Sequence, residues 1–351
     1  MIPADADDDA NDARFMRLAL EQGRRGEGLT SPNPAVGAVI VAAGRLIGEG
    51  YHHKAGLPHA EIEALADAKK KAVEEVAGAT AYVTLEPCST QGRTGPCTEA
   101  LKQAGIKRVV WGARDPNPAH AGRAREVLEQ AGIEVVTGVL ERECEDLIRP
   151  FAKWITSGFP YVIVKAGQSL DGRITRPPGE GQWITNEEAQ RHGRALRRRV
   201  DAILVGAQTV RQDNPRLTLR EAAGTSGKEQ PLRVILTRTG RLPEEAHVFT
   251  DEHKNRTLVL HDLPLSEVLQ ELGRRGIVSV LIEGGGNVLA QAFKSQLVDE
   301  VYWYIAPLLC GTGVPTLNDP SWEASVGMDE VNIVPMGNNV CVMGRPRWPN
   351  K

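Results

Sequence analysis

The chain has 351 residues, 41% apolar and 25% charged, an ordinary globular composition that excludes a mainly disordered or fibrous protein; at roughly 150 residues per domain it points to about two domains. Lysine and arginine number 42 against 45 acids, a balance of −3, so no global positive field holds the chain on nucleic acid or anionic lipid, and neither is expected as a partner. No apolar run approaches the roughly 18 residues of a membrane span, the acidic start lacks a signal-like apolar stretch, and five sparse cysteines make a poor disulfide framework, so the expectation is a cytoplasmic protein.

Residues 1–12 are rich in Asp and Ala without an apolar period and read as a mobile tail before a helix carrying Phe15, Met16, Leu18, Ala19 and Leu20. Over 13–147, β-type runs at 35–41, 81–85, 108–111 and 133–136 alternate with helical stretches near 59–77, 97–105 and 121–131, which predicts an α/β layered domain. An aromatic stretch with Pro and Gly at 148–160 reads as a boundary. From 161 to 351 strands are expected at 161–165, 202–205, 233–236, 257–260, 278–282 and 300–306, with a polar loop at 221–230, which makes a second, strand-rich α/β domain.

The most specific chemistry lies in His59-Ala60-Glu61, Pro87-Cys88 and Cys97. One imidazole and two thiolates give zinc three ligands and leave a fourth position open to water, the pattern of a catalytic rather than a structural site. Glu61, two residues beyond His59 at the start of a helix after Pro58, lies beside the metal without ligating it and is the expected proton shuttle. In the second domain the strand 278–282 runs into Glu283-Gly284-Gly285-Gly286-Asn287 and then a helix, a glycine turn at a helix N-terminus where backbone N–H groups favour an anion such as a nucleotide phosphate.

The segments Ser31-Pro32-Asn33-Pro34-Ala35-Val36-Gly37, Gly50-Tyr51-His52, Leu85-Glu86-Pro87-Cys88 and Gly92-Arg93-Thr94-Gly95-Pro96-Cys97 resemble the deaminase half of the bifunctional riboflavin-biosynthesis deaminase/reductases. The segments 165–173, 182–185 and 211–220, with Leu297-Val298-Asp299-Glu300 and Ile305-Ala306-Pro307, resemble the reductase half of the same family, in the same order. The resemblance implies a cytidine-deaminase-like α/β/α layered domain followed by a dihydrofolate-reductase-like α/β domain. It also implies Zn2+ and NADPH as cofactors. The implied substrate is a small pyrimidine ribotide, 2,5-diamino-6-(5-phosphoribosylamino)pyrimidin-4(3H)-one, which is deaminated hydrolytically to the uracil before its ribosyl group is reduced to ribityl. A homo-oligomer is compatible with the sequence.

Carried across by position, the resemblance assigns Asn33, His52, Arg93, Asp115 and Asn117 to substrate in the deaminase, and Gly181, Arg197, Leu217, Arg220 and Glu283 to substrate in the reductase. It assigns Gly167, Trp183, Thr209, Asp213, Thr237, Gly285, Gly286, Asn287, Val288, Leu289, Ala290 and Gln291 to NADPH. Lys165, expected at a strand end, and Glu283 are the candidates for polar assistance at the reacting sugar. Arg194, Arg197 and Arg198 lie three or four apart and share a helix face that suits a phosphate. The chain departs from the family pattern at Thr90 and Gln91, where histidines are common, at Gly95 (proline), Gln168 (alanine) and Gly181 (serine). Two other readings of the residues are a polynucleotide base deaminase with an accessory domain, disfavoured by the near-neutral charge and 5% aromatics, and a non-catalytic zinc- and nucleotide-binding protein, which needs a fourth zinc ligand.

Overall fold

A computed structural model describes residues 4–90, 95–118, 122–219 and 228–348. The chain divides into two compact units, Met1–Gly158 and Phe159–Lys351.

Unit 1 is built on a five-stranded sheet of order β2-β1-β3-β4-β5, with β1 Gly37–Ala42, β2 Arg45–Tyr51, β3 Thr80–Leu85, β4 Arg108–Ala113 and β5 Glu134–Thr137. β1 is antiparallel to β2 and β3, while β3, β4 and β5 are parallel. Helices α1 (Ala4–Arg24) and α5 (Glu141–Ser157) pack on the sheet and on each other, and α2 (Ala60–Ala72) lies on β1 and β2, with α3 (Cys97–Gln103) beside it. β2 escapes a periodicity reading because it carries Arg45, Gly48, Glu49 and Gly50. Those glycines are what let α2 approach: a Cβ on Gly48 would sit 2.4 Å from Ala64 O, and one on Gly50 would sit 2.5 Å from Ala64 N. The helix whose first turn carries Glu61 is thereby pressed directly onto the sheet.

Two expectations need correction here. Residues 4–12, read as tail, belong to α1, which starts at Ala4; Asp12 is buried and accepts from both Nη atoms of Arg108 (2.7 and 2.7 Å) and from Tyr82 Oη (2.8 Å). The boundary stretch 148–160 does contain the division between the units, after Gly158, but it is helical up to there: residues 148–157 continue α5 through Pro150, because Cys144, Leu147 and Ile148 bury one face, and the helix stops at Gly158, whose N–H donates to Trp154 O (2.8 Å).

Unit 2 is an eight-stranded sheet of order β12-β13-β11-β6-β10-β7-β8-β9. Its parallel part comprises β6 Tyr161–Ser169, β7 Ala202–Gly206, β8 Leu232–Thr237, β9 Thr257–His261, β10 Ser279–Gly284 and β11 Glu300–Ala306. An antiparallel hairpin, β12 Gly327–Met336 and β13 Asn339–Arg347, extends the sheet beyond β11. Apolar cores lie on both sheet faces, Val164, Val280 and Phe293 on one and Ile163, Leu281 and Tyr304 on the other. The central strands are accordingly near-continuous apolar runs, as a doubly covered parallel sheet requires.

Candidate active sites

His59 is the N-cap of α2, with extended backbone, and Glu61 is the second residue of that helix. Cys88 follows β3 after Glu86 and Pro87, and Cys97 opens α3. His59 Nδ1 stands 3.6 Å from Cys88 Sγ and 3.3 Å from Cys97 Sγ, and the three donor atoms lie within 4.8 Å of one another. A tetrahedral zinc with Zn–N of about 2.0 Å and Zn–S of about 2.3 Å separates N and S donors by ~3.5 Å, so the side chains fit that ion. No fourth protein ligand joins the cluster among the described residues. Cys88 Sγ accepts from the Cys97 N–H at the start of α3 (3.3 Å); hydrogen bonds from Cys97 and His59 hold its thiol well below the ordinary range. The Cys97 thiol is pushed up by its bond to Cys88, and His59 is raised by its contact with Cys88.

Glu61 is 4% exposed and touches the Cys97 thiol, and burial raises its carboxyl above the ordinary range. A carboxyl so placed can hold a proton as well as surrender one. His52 is 3% exposed, with both ring nitrogens engaged: Nδ1 donates to Pro58 O (3.0 Å) and Nε2 accepts from Asn33 Nδ2 (3.1 Å). A carbonyl only accepts and an amide nitrogen only donates, so the imidazole is neutral, in keeping with the lowering by burial. His52 therefore orients Asn33, leaving the Asn33 carbonyl oxygen for another partner. Asp115 Oδ1 accepts from Asn117 N (2.8 Å), which makes 115–117 an Asx turn.

The residue that sequence reasoning passed over is Glu86. Its buried carboxylate accepts from Asp115 N (3.3 Å), Gly122 N (2.8 Å) and Ala124 N (3.3 Å), so one side chain two residues before Cys88 holds the turn at 115 and the start of α4 (Arg123–Gln130). The only signal for it was its place in Leu85-Glu86-Pro87-Cys88. Arg93 and Gln91 lie outside the described residues, as does Arg220 of the second unit. Gly95 faces open space.

In unit 2, β6 and β10 pair in parallel register through Val164 and Ile282, which sets Lys165 beside Glu283 one position further on. Lys165 is thus mid-strand, not at a strand end, because β6 continues to Ser169. Burial lowers its ammonium, with Glu283 opposing and Arg197 and Arg194 adding to the shift. The Arg197 fork is closed on Glu283 (Nε–Oε1 2.6 Å, Nη2–Oε2 2.8 Å), and its Nη1 donates to Thr218 O (2.9 Å). The pair holds the Glu283 carboxyl below its ordinary range despite burial.

Gly285 is the N-cap of α10 (Gly286–Lys294), and a Cβ on it would lie 3.3 Å from Thr209 Oγ1, so the glycine turn and Thr209 adjoin. A Cβ on Gly286 would meet Pro315 O at 2.3 Å, so only glycine fits beneath that loop. The start of α10 suits a phosphate, and the NADPH assignment narrows accordingly. The Val288 and Leu289 amides are spent on Gly285 O (2.9 and 3.1 Å), the side chains of Val288, Leu289 and Ala290 are in the core, and Gln291 is exposed a full turn on. Asn287 Oδ1 accepts from Asn318 Nδ2 (2.6 Å).

Trp183 is 60% exposed, Gly167 faces Thr185, and Asp213 ends α7 (Ala207–Asp213), where burial raises its carboxyl. Thr237 Oγ1 accepts from Gly240 N (3.2 Å), and Gly181 faces open space with a left-handed φ of 92°. The Leu217 side chain is 2% exposed within the core, which leaves its backbone to face a ligand. Gln168 is accommodated by Thr316, whose Oγ1 donates to Gln168 Oε1 (2.7 Å).

Residues 9–113 match the cytidine and deoxycytidylate deaminase zinc-binding region, and residues 160–342 match the RibD C-terminal domain. The riboflavin biosynthesis protein RibD of Aquifex aeolicus is 37% identical, aligned over 94% of this chain and 97% of its own. Acinetobacter baumannii RibD superposes with a TM-score of 0.88 at 36% identity, covering 97% of this chain and all of its own. A Thermotoga maritima structure described as a diaminohydroxyphosphoribosylaminopyrimidine deaminase/5-amino-6-(5-phosphoribosylamino)uracil reductase gives 0.87 at 36% identity, with 97% and 99% covered.

A zinc-binding deaminase followed by a reductase of the NADPH-dependent type defines a bifunctional enzyme, and neither alternative reading accounts for both halves matching in one order. The chain belongs to the RibD family of riboflavin-biosynthesis enzymes. No helix among the described residues is long and apolar enough to cross a membrane.

Proposed function

We propose that the two units act in sequence on one pyrimidine ribotide. Unit 1 converts 2,5-diamino-6-(5-phosphoribosylamino)pyrimidin-4(3H)-one to 5-amino-6-(5-phosphoribosylamino)uracil with consumption of water and release of ammonia. Unit 2 then reduces the ribosyl group to ribityl. His59, Cys88 and Cys97 would hold a zinc ion, which when bound would acidify water for the hydrolysis. Glu61 carries the proton from that water to the departing amine through its carboxyl oxygens. Asn33, oriented by His52, presents its carbonyl oxygen to the N–H groups of the base edge, and the 115–117 turn held by Glu86 borders the ribotide.

In unit 2, NADPH, when bound, would supply the hydride for the opened sugar. Gly285–Asn287 and Thr209 seat its phosphate side. Lys165 and Glu283 meet the sugar's polar atoms, and the backbone at Leu217, gripped by Arg197 at Thr218 O, borders the substrate. None of the five cysteines is in a disulfide, which supports a cytoplasmic setting.

The spacing of His59 Nδ1 to the two sulfurs beside a buried Glu61 carries this reading. The test supplies the diaminopyrimidine ribotide with and without NADPH and resolves products by mass. Without NADPH the amino-to-oxo exchange alone is expected; with it, two further hydrogens. Stripping zinc with a chelator is expected to stop the first change and spare reduction of added uracil ribotide. Deamination that persists in fully metal-free protein refutes the zinc role.

A further inference from the structure

The loop 214–219 contains two non-glycine residues in left-handed backbone, Asn214 (φ 40°) and Leu217 (φ 52°), a conformation that costs on the order of 1 kcal/mol each and persists only where the surroundings impose it. No strand ladder runs through this loop; side chains hold its backbone instead. Asn214 Oδ1 accepts from His247 N (2.8 Å), and Gln230 spans Leu219, taking its N–H (2.7 Å) and donating to its carbonyl (3.4 Å). On either side of Leu217 a buried guanidinium grips a carbonyl: Arg197 Nη1 on Thr218 O (2.9 Å) and Arg233 Nη1 on Arg216 O (3.1 Å). Arg197 leads back to Glu283 at the cofactor turn. Arg233 leads away from it.

Arg233 lies on β8 and is 1% exposed, the largest fully buried side chain among the described residues. Besides Arg216 O it binds both oxygens of Asp251 (Nη1–Oδ2 2.7 Å, Nη2–Oδ1 2.9 Å) and Val248 O (3.0 Å). Burying two charges this deeply rarely serves stability, since an apolar pair of similar volume does as well or better. What the apolar pair cannot supply is a fixed donor to Arg216 O.

We infer that Arg233, held in place by Asp251, is a positioning residue for the pyrimidine-ribotide side of the reductase, imposing through Arg216 O the backbone of Leu217 that meets the substrate. The inference rests on the proposed placement of substrate at Leu217. The expected effect is on substrate affinity, because the bonds of Arg233 run to Arg216 O, Val248 O and Asp251, whereas Thr237, the NADPH candidate on the same strand, lies four residues further along β8 and the glycine turn follows β10.

The test compares wild type, Asp251→Asn and the double variant Arg233→Met/Asp251→Leu, with 5-amino-6-(5-phosphoribosylamino)uracil as substrate. For the double variant the expectation is a KM raised about tenfold or more, kcat within about threefold, and an unchanged NADPH dissociation constant by fluorescence titration. Asp251→Asn, which keeps the guanidinium on Arg216 O, is expected to raise KM less. Should the double variant not fold, Arg233→Lys takes its place: its single ammonium cannot serve Asp251 and Arg216 O together, so the same KM rise is expected. A folded variant with unchanged KM, or one whose NADPH affinity falls in step with substrate affinity, overturns the inference. Wild type that fails to reduce the uracil ribotide overturns instead the functional reading beneath it.

Discussion

Where the deaminase unit aims three donors of one kind, His59, Cys88 and Cys97, at a shared point, the reductase unit closes its buried charges on one another, Arg197 on Glu283 and Arg233 on Asp251. The first arrangement is complementary to a cation and is incomplete as protein chemistry. In the second, each guanidinium finds a carboxylate and a backbone carbonyl, so its charges organise loops as well as ligands. A substitution in the first site should therefore remove chemistry and leave the unit folded, whereas one in the second should disturb structure and binding together.

Glu61→Gln tests the first half of that contrast with the largest expected effect. The amide keeps the shape of the buried carboxyl but cannot carry a proton, so deamination should fall by on the order of 10²–10⁴-fold. Zinc content by metal analysis and reduction of the uracil ribotide should match wild type. A Glu61→Gln enzyme with undiminished deamination would remove the carboxyl from the mechanism.

Glu283→Gln tests the second half. It leaves Arg197 buried without its counter-charge, a loss on the order of 3 kcal/mol in the urea unfolding of unit 2. Reduction should fall with it while deamination persists. If Glu283→Gln unfolds at the wild-type urea concentration and only kcat suffers, the pair is a catalytic device and the contrast between the units is overdrawn.

The same contrast explains what the sequence disclosed. His59, Glu61, Cys88 and Cys97 stand at a motif spacing, at the start of α2, after the end of β3 and at the start of α3, so local rules suffice to bring them together. Glu86 was quoted in its motif but given no role, because its partners are backbone N–H groups at 115, 122 and 124, which carry no residue signature. Arg197 and Glu283 are 86 positions apart and Arg233 and Asp251 meet across a turn, so their pairing depends on the sheet order and not on any local pattern. Lys165 looked like a strand-end group because strand length is not written in a single residue, and the burial of the Leu217 side chain is equally unwritten. Among elements, the hairpin β12–β13 went unread: β12 is an edge strand with Asp329, Glu330 and Asn332 along it, and an edge needs no apolar period.

Lys228 offers a finer test of whether unit 2 spends its buried charges on backbone. Its ammonium donates to Val200 O (3.0 Å) and to Arg198 O at the end of the short helix Leu196–Arg199 that carries Arg197. Burial pushes it down to about 8, against ~10.4 for a free lysine. Between those values the unfolded chain binds more protons than the native one, so this group makes native stability rise with pH across that window. From pH 7.5 to 9.5 the gain is ~2 kcal/mol, and Lys228→Met should lack it. Urea midpoints of both proteins at the two pH values give the comparison directly, with every other titrating group common to the pair. Parallel shifts would mean that Lys228 keeps an ordinary pKa. Its bonds to Arg198 O and Val200 O would then fully offset the cost of burying the charge.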